Sequence, residues 1–342
     1  MEKLRVAVIG CGSIAKHRHF IEYHLNPDVN IVAVCDKVKV RAKEAAQQYQ
    51  AQAFTDYELL LAQLDIDLVS ICLPNYLHAP VSIAALEAGC HVLCEKPMAT
   101  SYQEAQAMIE TAEKHNKKLM IAHNQRFVAS HQQAKALIEA GELGKIYSFR
   151  TAFGHGGPEG WSVDGADSWF FDKEQAFIGA MGDLGVHKAD LMRYILGEEF
   201  TEVSALVETN AKAGATVDDN AVCLLKSQSG VIGTLTASWA YNTSEDNSTI
   251  IYGEKATLRI EDDPKYNLII NYTDGRTIKY QLGKIQSNDA GGQTTSQVID
   301  HFVEAIKDNR EPLITGAEGL RSLNVILAAL ESSETGRLIT IK

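Results

Sequence analysis

The sequence predicts an α/β protein: an N-terminal doubly wound parallel-sheet domain, then a C-terminal α+β domain with a large, mostly antiparallel sheet. Three observations carry this. Over the first third, near-continuous apolar strand runs alternate with amphipathic helical segments, as strands buried on both faces require. The first strand ends in a glycine-rich turn that opens a helix. After about Asn124 the segments lengthen and alternate with period two, which marks strands with one face on a core. A chain of 342 residues also suits two domains better than one, and the change of pattern divides it into 1–123 and 124–342.

In order, residues 4–9 form the first strand, apolar and β-branched, and helical spacing runs from Ser13 to about His24. Strand 30–35 and helix 38–49 follow. Strand signals recur at 68–73, 91–94 and 118–122, with helices near 79–88 and 101–115. Right-handed crossovers then place helices on both faces. In the second part a helix at 130–140 stops at Gly141, and strands are expected at 146–153, 201–208, 221–226, 231–239, 248–252, 257–260, 268–272 and 277–281. The turn Thr273-Asp274-Gly275-Arg276 implies a hairpin. A helix over 183–196, stopped by Gly197, interrupts the strands. The final helices, 296–307 and 317–332, are expected to pack across the domain junction, after a loop at 283–297 rich in Gly, Ser, Asn and Gln that reads as mobile.

Charge narrows the partners. With 32 basic and 44 acidic residues the net charge is −12, which repels nucleic acid and anionic membranes. No run of about 18 apolar residues offers a membrane span, and no leader of signal type precedes the first strand, so a cytoplasmic enzyme is expected. The six cysteines (Cys11, Cys35, Cys72, Cys90, Cys94 and Cys223) form no Cys-x-x-Cys pair. They read as buried small hydrophobes in a reducing compartment. Cys90 and Cys94 would stand roughly 13 Å apart along a strand, too far for a disulfide or a shared metal, and no metal is expected.

Gly10-Cys11-Gly12-Ser13-Ile14-Ala15 is a G-x-G-x-x-A fingerprint between a strand and a helix. Gly10 permits the tight turn, Gly12 lets the backbone approach a pyrophosphate, and Ala15 allows close helix packing. The helix N-terminus offers N–H groups to phosphate. Asp36 ends the second strand, 21 positions after Ala15, where a carboxylate accepts from a ribose 2′-OH and repels a 2′-phosphate. NAD is therefore favoured over NADP, although Lys37 and Arg41 are nearby cations that could soften the preference. Leu73, Asn75 and His78 leave another strand end and should face the cofactor.

Cys94-Glu95-Lys96-Pro97 leaves a further strand end, so Lys96 would emerge beside the nicotinamide, where a fixed cation stabilises an alkoxide. Asp183 and His187 are i and i+4 on a predicted helix and should share a face. There the imidazole can accept a hydroxyl proton while the carboxylate orients it and favours its protonated form. Asp190 falls on the same face.

The fingerprint at 10–15, Glu95-Lys96-Pro97 and Asp183-x-Gly185-x-His187, in this order, resemble the Gfo/Idh/MocA oxidoreductase family along essentially the whole chain. Asn124-Gln125-Arg126-Phe127 at the domain junction belongs to the match. The resemblance implies that Lys96, Asp183 and His187 line the substrate site, that Glu95 and Arg126 stand by the cofactor, and that the C-terminal sheet builds dimers or tetramers through its open face. Inositol (myo- or scyllo-inositol) dehydrogenases are the nearest functional expectation. His155, Arg126, Trp161 and Trp169 are candidates to line a polyol pocket. The segment before Asp183 departs from the family's glycine-rich pattern with Phe177 and Ile178.

The expected function is an NAD-dependent dehydrogenase that oxidises a secondary hydroxyl of a cyclic polyol or sugar, with that small molecule as its partner. The alternatives are an NAD-relay epimerase, lyase or glycosidase with no net NADH, and a non-catalytic sugar or dinucleotide sensor.

Overall fold

The computed structural model describes residues 2–283 and 296–342; most of the loop expected at 283–297 lies outside them. In the first part β1 (Leu4–Ile9), β2 (Val29–Cys35), β3 (Gln52–Phe54), β4 (Leu68–Ile71), β5 (His91–Cys94) and β6 (Leu119–Ile121) form a six-stranded sheet in the order β3-β2-β1-β4-β5-β6. Every adjacent pair is parallel. A π-helical turn at Ala15–His19 leads into α1 (Phe20–Leu25), followed by α2 (Lys39–Tyr49), α3 (Tyr57–Gln63), α4 (His78–Glu87) and α5 (Tyr102–Lys114). The chain order reverses direction between β1 and β4, and a crevice opens there beyond the strand ends. The sequence reading missed β3 and α3. β3 is three residues long and largely exposed, so it has no buried alternation to detect, and α3 is announced only by Asp56 capping Glu58 and Leu59.

The second part begins with α6 (Ala129–Glu139) and β7 (Ile146–Gly154), then α7 (Lys173–Ala176) and α8 (Val186–Leu196). Strands β8 (Phe200–Glu208), β9 (Asn220–Ser227), β10 (Ile232–Ser238), β11 (Thr249–Gly253), β12 (Ala256–Ile260), β13 (Leu268–Tyr272) and β14 (Thr277–Tyr280) follow. After α9 (Val298–Lys307) and α10 (Gly316–Thr335), β15 (Ile339–Thr340) closes the order β14-β13-β12-β11-β7-β10-β9-β8-β15. Only β7 and β10 pair in parallel among these strands. The strict alternation of β9, with Ala221, Cys223 and Leu225 buried between outward residues, puts one face on a core shared with α8 and α10. All six cysteines are buried and unpaired.

Two features shape the site. The helix expected from Asp183 starts at Val186, because Met181–Gly185 form a π-helical turn. The final helices tie the two halves together. Val298, Phe302 and Leu323 belong to the first core, and Val325, Ile326 and Ala329 to the second.

Candidate active site

A cavity of about 1160 Å³ lies where the carboxyl ends of the parallel strands meet the second sheet and its loops. That is larger than the roughly 300–1,000 Å³ of a pocket for one small ligand. It can hold a dinucleotide and a second small molecule.

Its first half follows from backbone requirements. Gly10 has φ +98°, and a Cβ there would lie 2.0 Å from the Cys72 carbonyl oxygen, so no other residue fits. A Cβ on Gly12 would meet nothing within 4 Å, which leaves an open cradle for a close-approaching group. The Asp36 carboxylate is fixed at the end of β2, with Oδ2 accepting from the Cys11 N–H (2.9 Å) and Oδ1 from the Val38 N–H (2.7 Å). Ile14, Leu73 and Asn75 line the same space. Asn75 is held by donation to the Ala176 carbonyl (2.8 Å). This glycine cradle with an anchored carboxylate fits a dinucleotide's pyrophosphate and ribose.

His78 lines the cavity as well. Its ring is wedged between the Pro97 and Leu73 carbonyls, at 2.7 and 2.8 Å. It braces two strand-end loops, and burial pushes its pKa down. The Ser13 hydroxyl donates to the Trp161 carbonyl (3.0 Å) and accepts from the Val163 N–H (3.1 Å), so it joins the two halves of the protein. Arg41 does the same through an ion pair with Asp164.

Glu95 anchors a buried chain absent from the sequence reading. Its Oε1 meets His19 Nε2 at 3.0 Å, and His19 Nδ1 lies 2.7 Å from the Ser70 hydroxyl, to which Tyr23 also donates. Burial acts to raise the Glu95 pKa, but His19 and Lys96 hold it below its ordinary value.

The second half centres on Lys96. Its Nζ donates to the Asp183 carbonyl (2.8 Å) and to Asp183 Oδ1 (3.0 Å). Asp183 Oδ2 accepts from Trp239 Nε1 (3.1 Å) and stands 4.0 Å from His155 Nε2. His155 Nδ1 accepts from the Gly157 N–H (2.9 Å), which leaves Nε2 to carry the proton of the neutral ring. Burial lowers the His155 pKa, opposed by Asp183. Trp161 and Trp169 line the cavity; Trp169 stacks on Phe170 with centroids 3.9 Å apart, and Trp161 meets Phe170 edge-on.

His187 corrects one expectation. The extra residue in the π-helical turn breaks the α-helical i, i+4 relation, and both Asp183 oxygens are spoken for by Lys96 and Trp239. The His187 ring packs on Phe153 and against His123 instead, with Nδ1 buried and unpartnered. Burial, then the Lys96 charge, drives its pKa well below the usual value. The imidazole is neutral, not protonated.

Arg126 is a second correction, since it does not line the cavity. It forks onto Asp190 (2.8 and 2.7 Å) and reaches Glu318 (2.8 Å). Asp190, taken up in this way, is no partner for His187. Sequence reasoning also missed Asp218, whose carboxylate accepts from the Gly179 and Met181 N–H groups at 2.7 Å each and seats the turn carrying Asp183. Phe177 adopts φ +65° just before it, and Ile178 is buried in the second core. Lys188 was missed too. It is fully buried and donates to the Asn247 carbonyl (2.8 Å), beside cavity-lining Glu245 and Asn247. A lysine next to His187, on a helix whose Ala189, Leu191 and Met192 mark it for the core, was the available signal.

Residues 4–123 match the model described as an oxidoreductase family with an NAD-binding Rossmann fold, and residues 131–259 the GFO/IDH/MocA C-terminal domain. The chain is 29% identical to the D-glucoside 3-dehydrogenase of Escherichia coli (strain K12), over 99% of this chain and 97% of that one. It is 25% identical to the myo-inositol 2-dehydrogenase of Thermotoga maritima over 99% of each. A solved levoglucosan dehydrogenase in complex with NADH and levoglucosan superposes with a TM-score of 0.86, at 27% identity over the full length of both chains.

Proposed function

Because the chain belongs to the Gfo/Idh/MocA oxidoreductase family and carries its NAD-binding Rossmann domain, we propose that it oxidises a secondary hydroxyl of a cyclic sugar or polyol, inositols included, to a ketone. The observation that supports this most is the Lys96–Asp183 ion pair beside His155 and His187 on the cavity wall.

When bound, NAD supplies the hydride acceptor. Gly10, Gly12, Ser13, Ile14 and Asp36 would hold it, together with Leu73, Asn75 and Glu95 from the same cavity wall, and the Asp36 carboxylate would favour it over NADP. His187, neutral at pH 7, takes the hydroxyl proton. The Lys96 ammonium stabilises the alkoxide. Asp183, tethered by Trp239, positions Lys96 and not the imidazole. Trp161 and Trp169 offer apolar faces to a ring, and the His155 N–H a polar contact. With the division at 123/124, Lys96 comes from the cofactor part of the chain and His155, Asp183 and His187 from the other, and all four line one cavity.

Association belongs to the same reading. Leu206, Leu224 and Ile232 are 69, 60 and 58% exposed on the outer face of β8, β9 and β10, and this face pairs with a second copy.

The test follows NADH absorbance with NAD or NADP and a panel of inositols, glucosides, anhydrosugars and aldoses. NADH is expected from a cyclic member, with NAD preferred. Lys96→Ala and His187→Ala each lose about 10²–10⁴-fold in kcat while NAD binding persists. Full activity in Lys96→Ala, or no reduction with any member, overturns the assignment.

A further inference from the structure

We propose that Asp164, carried by the second domain, is a cofactor-specificity residue that excludes a 2′-phosphorylated dinucleotide by holding the Arg41 guanidinium. The inference rests on the NAD-binding reading of the cavity and is independent of which sugar or polyol is oxidised.

Arg41 lies in the first turn of α2, just beyond Asp36, and both line the cavity together with Asp164. A planar guanidinium in that place is well suited to a phosphate, which it can grip with two parallel N–H donors. Here both donors are already taken: Nη2 meets Asp164 Oδ1, and Nη1 lies 3.4 Å from Oδ2. The pairing partner is not a loose surface carboxylate. Its loop is pinned on the N-terminal side by the two hydrogen bonds of the Ser13 hydroxyl to Trp161 and Val163. The Asp164 N–H itself meets the Ser162 hydroxyl, which meets that of Ser168.

The electrostatic consequence is one-sided. A ribose 2′-OH needs one acceptor, and Asp36 provides it. A 2′-phosphate brings about two negative charges and would meet two carboxylates, Asp36 and Asp164, with Arg41 already neutralised. Sequence alone made Arg41 a group that softens the preference for NAD. Its partner, 123 residues further along the chain, removes that softening, so selectivity is set across the domain junction.

The experiment titrates the full-length protein and Asp164→Asn with NAD and with NADP, by calorimetry and by the fluorescence of Trp161 and Trp169. In Asp164→Asn the dissociation constant for NADP is expected to fall about tenfold, with that for NAD unchanged within about twofold. Adding Arg41→Gln to Asp164→Asn should cancel the gain. Arg41→Gln alone should leave NADP binding as weak as in the parent, because the guanidinium is already withheld. Equal changes for both dinucleotides, no change for either, or a loss of NADP affinity in Arg41→Gln alone would each overturn the proposal. A parent protein that binds neither dinucleotide would instead strike down the NAD-binding reading on which it rests.

Discussion

Lys188 shows what a single side chain costs and contributes. Burial lowers its pKa from 10.5 to about 7, against the pull of Asp246, Glu261 and Glu245. Between those two values the unfolded chain holds a proton that the folded chain lacks, so this group makes stability rise with pH from 7 towards 10.5. The penalty of the buried charge is fully present below about pH 7. Thermal melts of the parent and Lys188→Met should therefore show their difference shifting in the parent's favour, by several degrees, as pH goes from 7 to 10. A pH-independent difference would contradict the buried charge. Because Lys188 also ties down Asn247 on the cavity wall, the variant should raise KM for the sugar more than it lowers kcat. At this scale the cofactor half of the site was legible from sequence, because what Gly10, Gly12 and Asp36 require is local. Arg126 was misplaced because its partners, Asp190 and Glu318, are distant in sequence.

Among the elements, α8 carries the most polar burial for its length. Asp190 and Arg193 meet Arg126 from the turn after β6 and Ser322 and Glu318 from α10. Buried charge of this kind is costly to half-remove: Arg126→Met leaves Asp190 short of its fork and should destabilise the protein by about 3–5 kcal/mol. Since Arg126 stands off the cavity, the affinity for NAD measured below the melting range should be unchanged. A large loss of NAD affinity in a folded variant would return Arg126 to the site. Strand and helix positions came through from periodicity wherever one face is buried, as in β9. The π-helical turn at 181–185 did not, because its cause is the Asp218 carboxylate gripping Gly179 and Met181 from another strand connection. That turn decides which residue Asp183 serves.

At the scale of the whole molecule, the nine-stranded sheet leaves Leu206, Leu224 and Ile232 exposed on its outer face. Leu206 lies opposite Val222, with Leu224 next along β9. Leu224→Glu combined with Ile232→Lys should reduce the oligomer to monomers in sedimentation equilibrium while cofactor binding persists. An unchanged mass would show that the face is not an interface. Two domains were legible in the sequence from the change in periodicity, but their interdependence rests on packing that no local pattern records. The β6 residue Ile121 donates to the Ile314 carbonyl (3.0 Å), and Phe302, Val303 and Leu323 fill the first core.

That last arrangement governs how the chain comes off the ribosome. The dinucleotide-binding fold is synthesised first, yet its apolar flank stays uncovered until α9 and α10 emerge, some two hundred residues later. A nascent chain of this design needs protection for most of its translation. A fragment of residues 1–123 should bind hydrophobic dyes and aggregate, and adding a peptide of residues 296–342 should render it soluble. The cofactor module is thus a folding unit in two pieces, with the closing piece encoded at the far end of the chain.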